Sequence, residues 1–176
     1  MNGNRLLVIW LLSILAVAIS AGQNWGSFEV SLAAGGGTFG VSGYAAFPVL
    51  GTFLGLQLIA VLLSLLSRPI VTRFLSSAIA IVMAWSVLLV LTSASEQIFL
   101  TAQRELAEKT GVLQDLASSD FLISSAVSSW SVVYLAAGLL NIIILGMVAI
   151  FWRERSVATK AKRDVDQPED LWGDQK

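Results

Sequence analysis

Four long apolar stretches alternate with polar segments along the chain. None of them contains Asp, Glu, Lys or Arg; they cover residues 6–21, 48–67, 74–92 and 129–152. About 20 helical residues are needed to cross the roughly 30 Å hydrocarbon core of a bilayer. Four such stretches in 176 residues leave too little polar sequence to cover them in water. The pattern therefore predicts an all-α membrane protein, with residues 1–152 forming a four-transmembrane-helix bundle in the lipid bilayer.

The segment between the first two stretches has the pattern of a small β-hairpin. Phe28 and Val30 alternate with polar residues before a glycine-rich turn, and Phe39 and Val41 alternate after it. An isolated two-stranded hairpin is marginally stable in water. We therefore expect this extracytoplasmic hairpin to rest on the helix ends or on the second long connection.

That second connection, residues 93–128, predicts a short helix of its own. Ser93 and Glu96 have capping-box spacing, and apolar residues then recur at helical intervals as far as Lys109. Gly111 follows as a stop signal.

Positive charge is distributed asymmetrically about the four stretches. If the N-terminus is cytoplasmic, every Lys and Arg except Arg104 and Lys109 lies on the cytoplasmic side. This bias follows the positive-inside rule and predicts a multi-pass plasma membrane protein with both termini in the cytoplasm. The polar tail, 153–176, has little to bury and is predicted to be a disordered cytoplasmic segment.

The first apolar stretch also has features of a secretory signal peptide. Arg5 precedes it, and small residues, Ala18 and Ser20 among them, precede Ala21. The sequence leaves open whether this helix is retained or cleaved.

Composition removes several classes of function. The chain is 56% hydrophobic and 13% charged, with a net charge of −1 and neither Cys nor His. Nucleic-acid binding needs a clustered basic face, thiolate sites need Cys, and His is the commonest general base and metal ligand. We therefore expect no enzyme activity, no catalytic residue, no cofactor and no metal site.

Two amide side chains stand out in the apolar stretches. Gln57 and Asn141 occupy the middle of the second and fourth stretches, at similar depth. An amide that faces lipid tails is costly, so both are expected to face the bundle and to form a candidate interhelical polar pair. The alternative is that they line a polar path for a substrate.

Gly51 and Gly55 form a G-x-x-x-G pattern in the second stretch. Glycines one turn apart allow close helix packing. The expected partner is another helix of the same chain, and the alternative is a second copy.

Three of the six tryptophans, Trp25, Trp130 and Trp152, fall at predicted ends of the apolar stretches. Amphipathic indoles are favoured at membrane interfaces. Lipid anchoring and packing are therefore the expected roles of the tryptophans.

The chain resembles the tryptophan-operon-associated transmembrane proteins of Actinobacteria. The matching features are Ala21-Gly22-Gln23-Asn24-Trp25, Val41-Ser42-Gly43-Tyr44-Ala45-Ala46-Phe47-Pro48, Trp130, and the acidic tail with Asp170-Leu171-Trp172. The resemblance implies four membrane helices, a retained first helix and a genetic link to tryptophan biosynthesis. It implies no particular reaction.

These observations favour a small non-enzymatic membrane accessory protein, linked through the resemblance to tryptophan metabolism. Its expected partners are another membrane protein or further copies of itself. Two alternatives stay open: a small transporter or exporter component for an aromatic metabolite, and a claudin-like membrane scaffold.

Overall fold

The computed structural model describes residues 3–31, 36–110 and 122–152, which form a helical bundle with a small sheet at one end. In chain order the elements are α1 (Gly3–Gly22), β1 (Asn24–Val30), β2 (Gly37–Ser42), α2 (Gly43–Ala46), α3 (Val49–Leu66), α4 (Pro69–Thr110), β3 (Leu122–Val127) and α5 (Trp130–Phe151). The predicted tail, 153–176, and the hairpin turn at residues 32–35 lie outside the described residues. We call the two ends of the bundle the sheet end and the turn end, the latter being where α3 leads into α4.

Four helices, α1, α3, α4 and α5, are long and apolar enough to cross a membrane. Helix α1 packs against α5 and α3, and α4 also packs against both. Helices α3 and α5 share no comparably extensive contact within the described chain. They therefore lie diagonally opposite each other in the bundle.

The bundle has apolar side chains outside and many polar side chains inside. Large apolar residues on each of the four helices are more than half exposed, among them Leu12, Leu66, Ile81 and Val132. The buried polar residues of these helices are Ser13, Ser20, Gln57, Ser64, Thr72, Ser76, Ser86, Ser131 and Asn141. The rest of the interior is apolar, so the unusual feature is the large exposed apolar surface, which water-soluble monomers rarely have.

Helix α4 is a single element of 42 residues, so the separate helix predicted after Ser93 is not formed. The Ser93 hydroxyl donates to the carbonyl of Leu89 at 2.6 Å, and the Thr92 hydroxyl donates to the carbonyl of Leu88 at 2.9 Å. These hydroxyls bond back to the preceding turn, as Ser and Thr do inside a helix. The capping-box spacing therefore does not mark a new helix start.

The same helix also begins earlier than predicted, at Pro69 rather than residue 74. Proline suits the first turn of a helix because the N–H it lacks would have no intrahelical partner there. The charged segment between the second and third apolar stretches therefore includes the first turn of α4.

The sheet has three antiparallel strands in the order β2-β1-β3, rather than the two of the predicted hairpin. Strands β1 and β2 form the hairpin, and β3 arrives from the second long connection to pair with the other edge of β1. The rings of Phe28 and Phe39 stack across the hairpin with centroids 5.6 Å apart. A third strand supplies the support that an isolated hairpin lacks.

The inner face of this sheet packs against the part of α4 that extends beyond the bundle. Ile98, Ala102 and Leu106 on α4 are buried, and Leu106 clusters with Val30 of β1. The predicted helical periodicity of this segment is therefore present, but it serves to support the sheet.

At the turn end, Arg73 joins α4 to α5. Its Nε and Nη2 donate to the carbonyl oxygen of Trp152 at 3.1 and 2.8 Å. The last carbonyls of a helix lack intrahelical partners and carry partial negative charge. A guanidinium here satisfies one of them and favours the C-terminal end of α5.

The different surroundings of two glycines in α5 predict different stabilities for their substitution by alanine. A Cβ at Gly138 would lie 2.6 Å from Cγ2 of Val87 on α4, whereas a Cβ at Gly146 would meet no atom of the described residues within 4 Å. Both changes to Ala gain the same helix propensity, but only Gly138→Ala overpacks the α4–α5 contact. We expect Gly138→Ala to be less stable than Gly146→Ala by about 1–3 kcal/mol in detergent unfolding.

A second substitution tests whether a clash with Val87 causes the lower stability of Gly138→Ala. Adding Val87→Ala to Gly138→Ala should restore most of the lost stability, because it removes the opposing methyl group. Equal stabilities for the two single variants would contradict the packing described here.

Candidate functional site

Gln57 and Asn141 both lie inside the bundle, with 1% and 0% of their surface exposed. The Asn141 side-chain Nδ2 donates to the hydroxyl of Ser13 at 2.8 Å, and that hydroxyl donates to the carbonyl of Trp10 at 2.7 Å. The Asn141 amide therefore joins α5 to α1, at a depth where apolar side chains surround it.

The structure does not bring Gln57 and Asn141 into a hydrogen bond with each other. Within the described residues, neither polar atom of Gln57 has a hydrogen-bond partner, and neither does Oδ1 of Asn141. The reason is the helix arrangement: neighbouring axes lie about 8–10 Å apart, and α3 and α5 are diagonal rather than neighbours. The observed interhelical polar pair is Ser13–Asn141, and the amide of Gln57 is left in the bundle core. Leaving a buried polar group unpaired costs about 1–3 kcal/mol.

The structure also gives no internal packing partner to the G-x-x-x-G pattern. A Cβ added at either Gly51 or Gly55 would meet no described atom within 4 Å. The pattern lies on a side of α3 that the rest of the described chain leaves uncovered. Its role in contact with a second copy stays a prediction.

Trp25 is the residue on which the sheet end is built. It is the second residue of β1, three residues after the end of α1, and it is fully buried. Its indole Nε1 donates to the carbonyl of Ser20 at 2.8 Å. Its ring packs against Phe47, just before α3, and against Tyr134 in the first turns of α5, with centroid distances of 6.0 and 5.2 Å. We call Trp25, Phe47 and Tyr134 the aromatic junction.

Glycine 43 makes room for this junction. A Cβ at Gly43 would lie 2.5 Å from the Trp25 ring and 2.7 Å from the backbone carbonyl of Ala21. Its N–H donates to the carbonyl of Gln23 at 3.3 Å, so the start of α2 is held against the end of α1.

The neighbouring Tyr44 strengthens the same contact. Its hydroxyl donates to the carbonyl of Ala18 at 3.2 Å. Burial raises the pKa of the Tyr44 phenol above its ordinary value. The group therefore remains a neutral hydrogen-bond donor at physiological pH.

Of the two roles expected for the tryptophans, lipid anchoring and packing, Trp25 has the packing role. Trp25 and Trp152 have exposures of 0% and 6%, so both are packing residues, whereas Trp130 is 39% exposed. Position at the end of an apolar stretch does not distinguish an indole that faces outward from one that turns inward. A usable signal was the hairpin pattern itself, because pairing of its strands brings Trp25, near the start of β1, close to Gly43 and Tyr44, just after β2.

A cleft of about 310 Å³ opens at the sheet end, between the end of α1, the sheet and the start of α5. Its lining consists of Gln23, Asn24, Gly26, Ser27, Ser128 and Trp130. These side chains offer hydrogen-bond donors and acceptors beside one aromatic face, with no charged group among them. Such a lining can hold a neutral polar molecule, but it has no acid or base for proton transfer.

Comparison of the chain with protein-family models, curated proteins and solved structures returns no match. The fold and its internal contacts are therefore the basis for the functional argument.

The observed pair, Ser13–Asn141, and the pair expected from the sequence, Gln57–Asn141, predict different coupling energies in double-mutant cycles. Because Asn141 contacts Ser13, combining Asn141→Leu with Ser13→Ala should show a coupling energy of about 0.6 kcal/mol, the scale of interhelical hydrogen bonds in membranes. The cycle of Asn141→Leu with Gln57→Leu serves as the control and should show a smaller coupling energy, because the two amides do not bond each other directly. Thermal unfolding in detergent provides the stabilities. Coupling between Gln57 and Asn141 that exceeds the coupling to Ser13 would contradict the geometry.

Proposed function

We propose that this chain is a multi-pass integral protein of the plasma membrane that acts as a non-enzymatic accessory protein. The proposal that the protein lies in a membrane is supported by the distribution of side chains over the four long helices. Apolar side chains such as Leu66 and Ile81 cover the outside, and a few amides and hydroxyls lie within an otherwise apolar core. Lipid favours this arrangement, because interhelical polar contacts and small residues hold helices together there while the outside matches the acyl chains.

The charge distribution supports an orientation. Arg5 near the start of α1, and Arg68 and Arg73 at the start of α4, belong to the turn end of the bundle, and the basic residues after Trp152 follow α5 from the same end. With the turn end in the cytoplasm the protein obeys the positive-inside rule. The three-stranded sheet and the extension of α4 are then extracytoplasmic.

The accessory role is supported by the arrangement of the strands at the sheet end. Both long connections contribute strands to one sheet, which rests on α4 and on the aromatic junction. Its edge strand β2 contains no charged residue and no proline, the devices that commonly block strand addition. An edge of this kind suits recognition by an extended segment of another membrane protein. The association with tryptophan metabolism is supported by the sequence resemblance alone.

Two other functions have a supporting observation each. A claudin-like scaffold would use the same β2 edge to contact a second copy. A transporter component for an aromatic metabolite is favoured by the unpaired amide of Gln57 in the core. Helices α3 and α5 contain no charged residue, so transport by such a path would be passive, since coupling relays generally need ionisable groups in the membrane.

Cysteine substitution tests the orientation, because the chain has no native Cys. Thr38, on β2, is exposed, and Thr38→Cys should react with a membrane-impermeant thiol reagent on intact cells. Ala158→Cys, in the predicted cytoplasmic tail, is the control and should react only after lysis. Labelling of Ala158→Cys but not Thr38→Cys on intact cells would reverse the topology.

The same Thr38 position tests the accessory role. A photoreactive group attached there should give a discrete adduct with a different membrane protein, whereas the same group at Leu12, on the apolar outside of α1, should give none. A discrete adduct with a second copy would favour the scaffold instead. Equal yields from Thr38 and Leu12, or no adduct from Thr38, would contradict recognition at the sheet edge.

A further inference from the structure

The core of the bundle contains polar atoms that the protein itself leaves unpaired. Trp10, Gln57 and Asn141 are at most 1% exposed. Within the described residues, Nε1 of Trp10, both polar atoms of Gln57 and Oδ1 of Asn141 have no hydrogen-bond partner. These atoms belong to three different helices, α1, α3 and α5.

The depth of each of these residues in the bundle can be estimated as its distance from the aromatic junction along its own helix. Helix α3 begins at Val49, two residues after Phe47, and Gln57 lies eight residues further, or about 12 Å along that helix at 1.5 Å per residue. Asn141 follows Tyr134 by seven residues, which is about 10 Å along α5. Its partner Ser13 therefore lies about 10 Å below the junction, and Trp10, one turn further from the sheet end, lies about 15 Å below it. Trp10 and Gln57 thus share a level on two helices that pack against each other.

The types of these atoms specify what can satisfy them. The Trp10 indole only donates, Oδ1 of Asn141 only accepts, and the Gln57 amide does both. A partner must therefore both donate and accept hydrogen bonds. It must also be uncharged, because α3 and α5 contain no charged residue to balance an ion, and Arg5 of α1 is exposed near the start of that helix.

We propose that this layer of the bundle, formed by Trp10, Gln57 and Asn141, is a binding site for ordered water. Water is the smallest neutral molecule that both donates and accepts, and buried water typically makes about three hydrogen bonds to polar groups that are otherwise unsatisfied. The site lies beneath the aromatic junction, which separates it from the sheet end. It is independent of the accessory function and holds for any partner at the sheet.

A pair of tryptophans within the same molecule provides the test. The indoles of Trp10 and Trp25 are both 0% exposed, but the Trp25 N–H donates to the Ser20 carbonyl whereas the Trp10 N–H has no acceptor among the described residues. The full-length protein with ¹⁵N-labelled tryptophan is studied by NMR in detergent micelles, with Trp10→Phe assigning the Trp10 signal. The Trp10 indole N–H should show a cross peak to water, and the Trp25 indole N–H should show none. Absence of the Trp10 cross peak, or a cross peak only to detergent chains, would overturn the proposal.

A second variant tests whether Gln57 belongs to the same site. Gln57→Leu should abolish or strongly weaken the water cross peak of Trp10. The control is Ser64→Ala, a buried polar residue two turns further along α3 whose hydroxyl already donates to the Ala60 carbonyl at 2.7 Å. This change should leave the cross peak intact. An unchanged cross peak in Gln57→Leu would overturn the shared layer.

Discussion

The packing of Trp25 is the interaction on which the rest of the structure depends. Its indole donates back to α1, and its ring contacts Phe47 ahead of α3 and Tyr134 on α5. Its backbone carbonyl accepts the N–H of Ser128, at the end of β3. One residue therefore joins three helices and the sheet. A ladder irregularity between Asn24 and Gly26 allows this, because a bulge lets a residue leave the regular alternation of a strand.

Below this junction the bundle has a mainly apolar core that also contains several buried polar side chains. The hydroxyls of Ser13, Ser64 and Ser86 donate to carbonyls of their own helices, so they are satisfied without an external partner. Between helices, Tyr134 donates to Ser86 at 3.2 Å and Asn141 donates to Ser13. If the bundle lies in lipid, as we propose, there is little hydrophobic force between its helices, and close packing together with such contacts would hold them.

Local patterns in the sequence predict the four long helices and the inward positions of Phe28 and Val30, because apolar runs and alternation report burial directly. The continuity of α4 was not predictable from Ser93 and Glu96, since the same residues that cap a helix can also bond back within one. Strand β3 was missed because it contains adjacent small serines and pairs with β1 across almost 100 residues. The partner of Asn141 depends on which helices are neighbours, and that information lies in packing rather than in the depth of each amide along its own helix.

The central claim, that Trp25 makes the sheet and the bundle one cooperative unit, is tested most directly by amide hydrogen exchange. Exchange would be measured in detergent for the native chain, for Trp25→Ala, and for Trp85→Ala as a control whose indole is 62% exposed. Loss of Trp25 should accelerate exchange together in the three strands and in the first turns of α5, because both lose their shared contact, whereas loss of Trp85 should change neither. Unchanged protection of the sheet and α5 in Trp25→Ala would contradict the account.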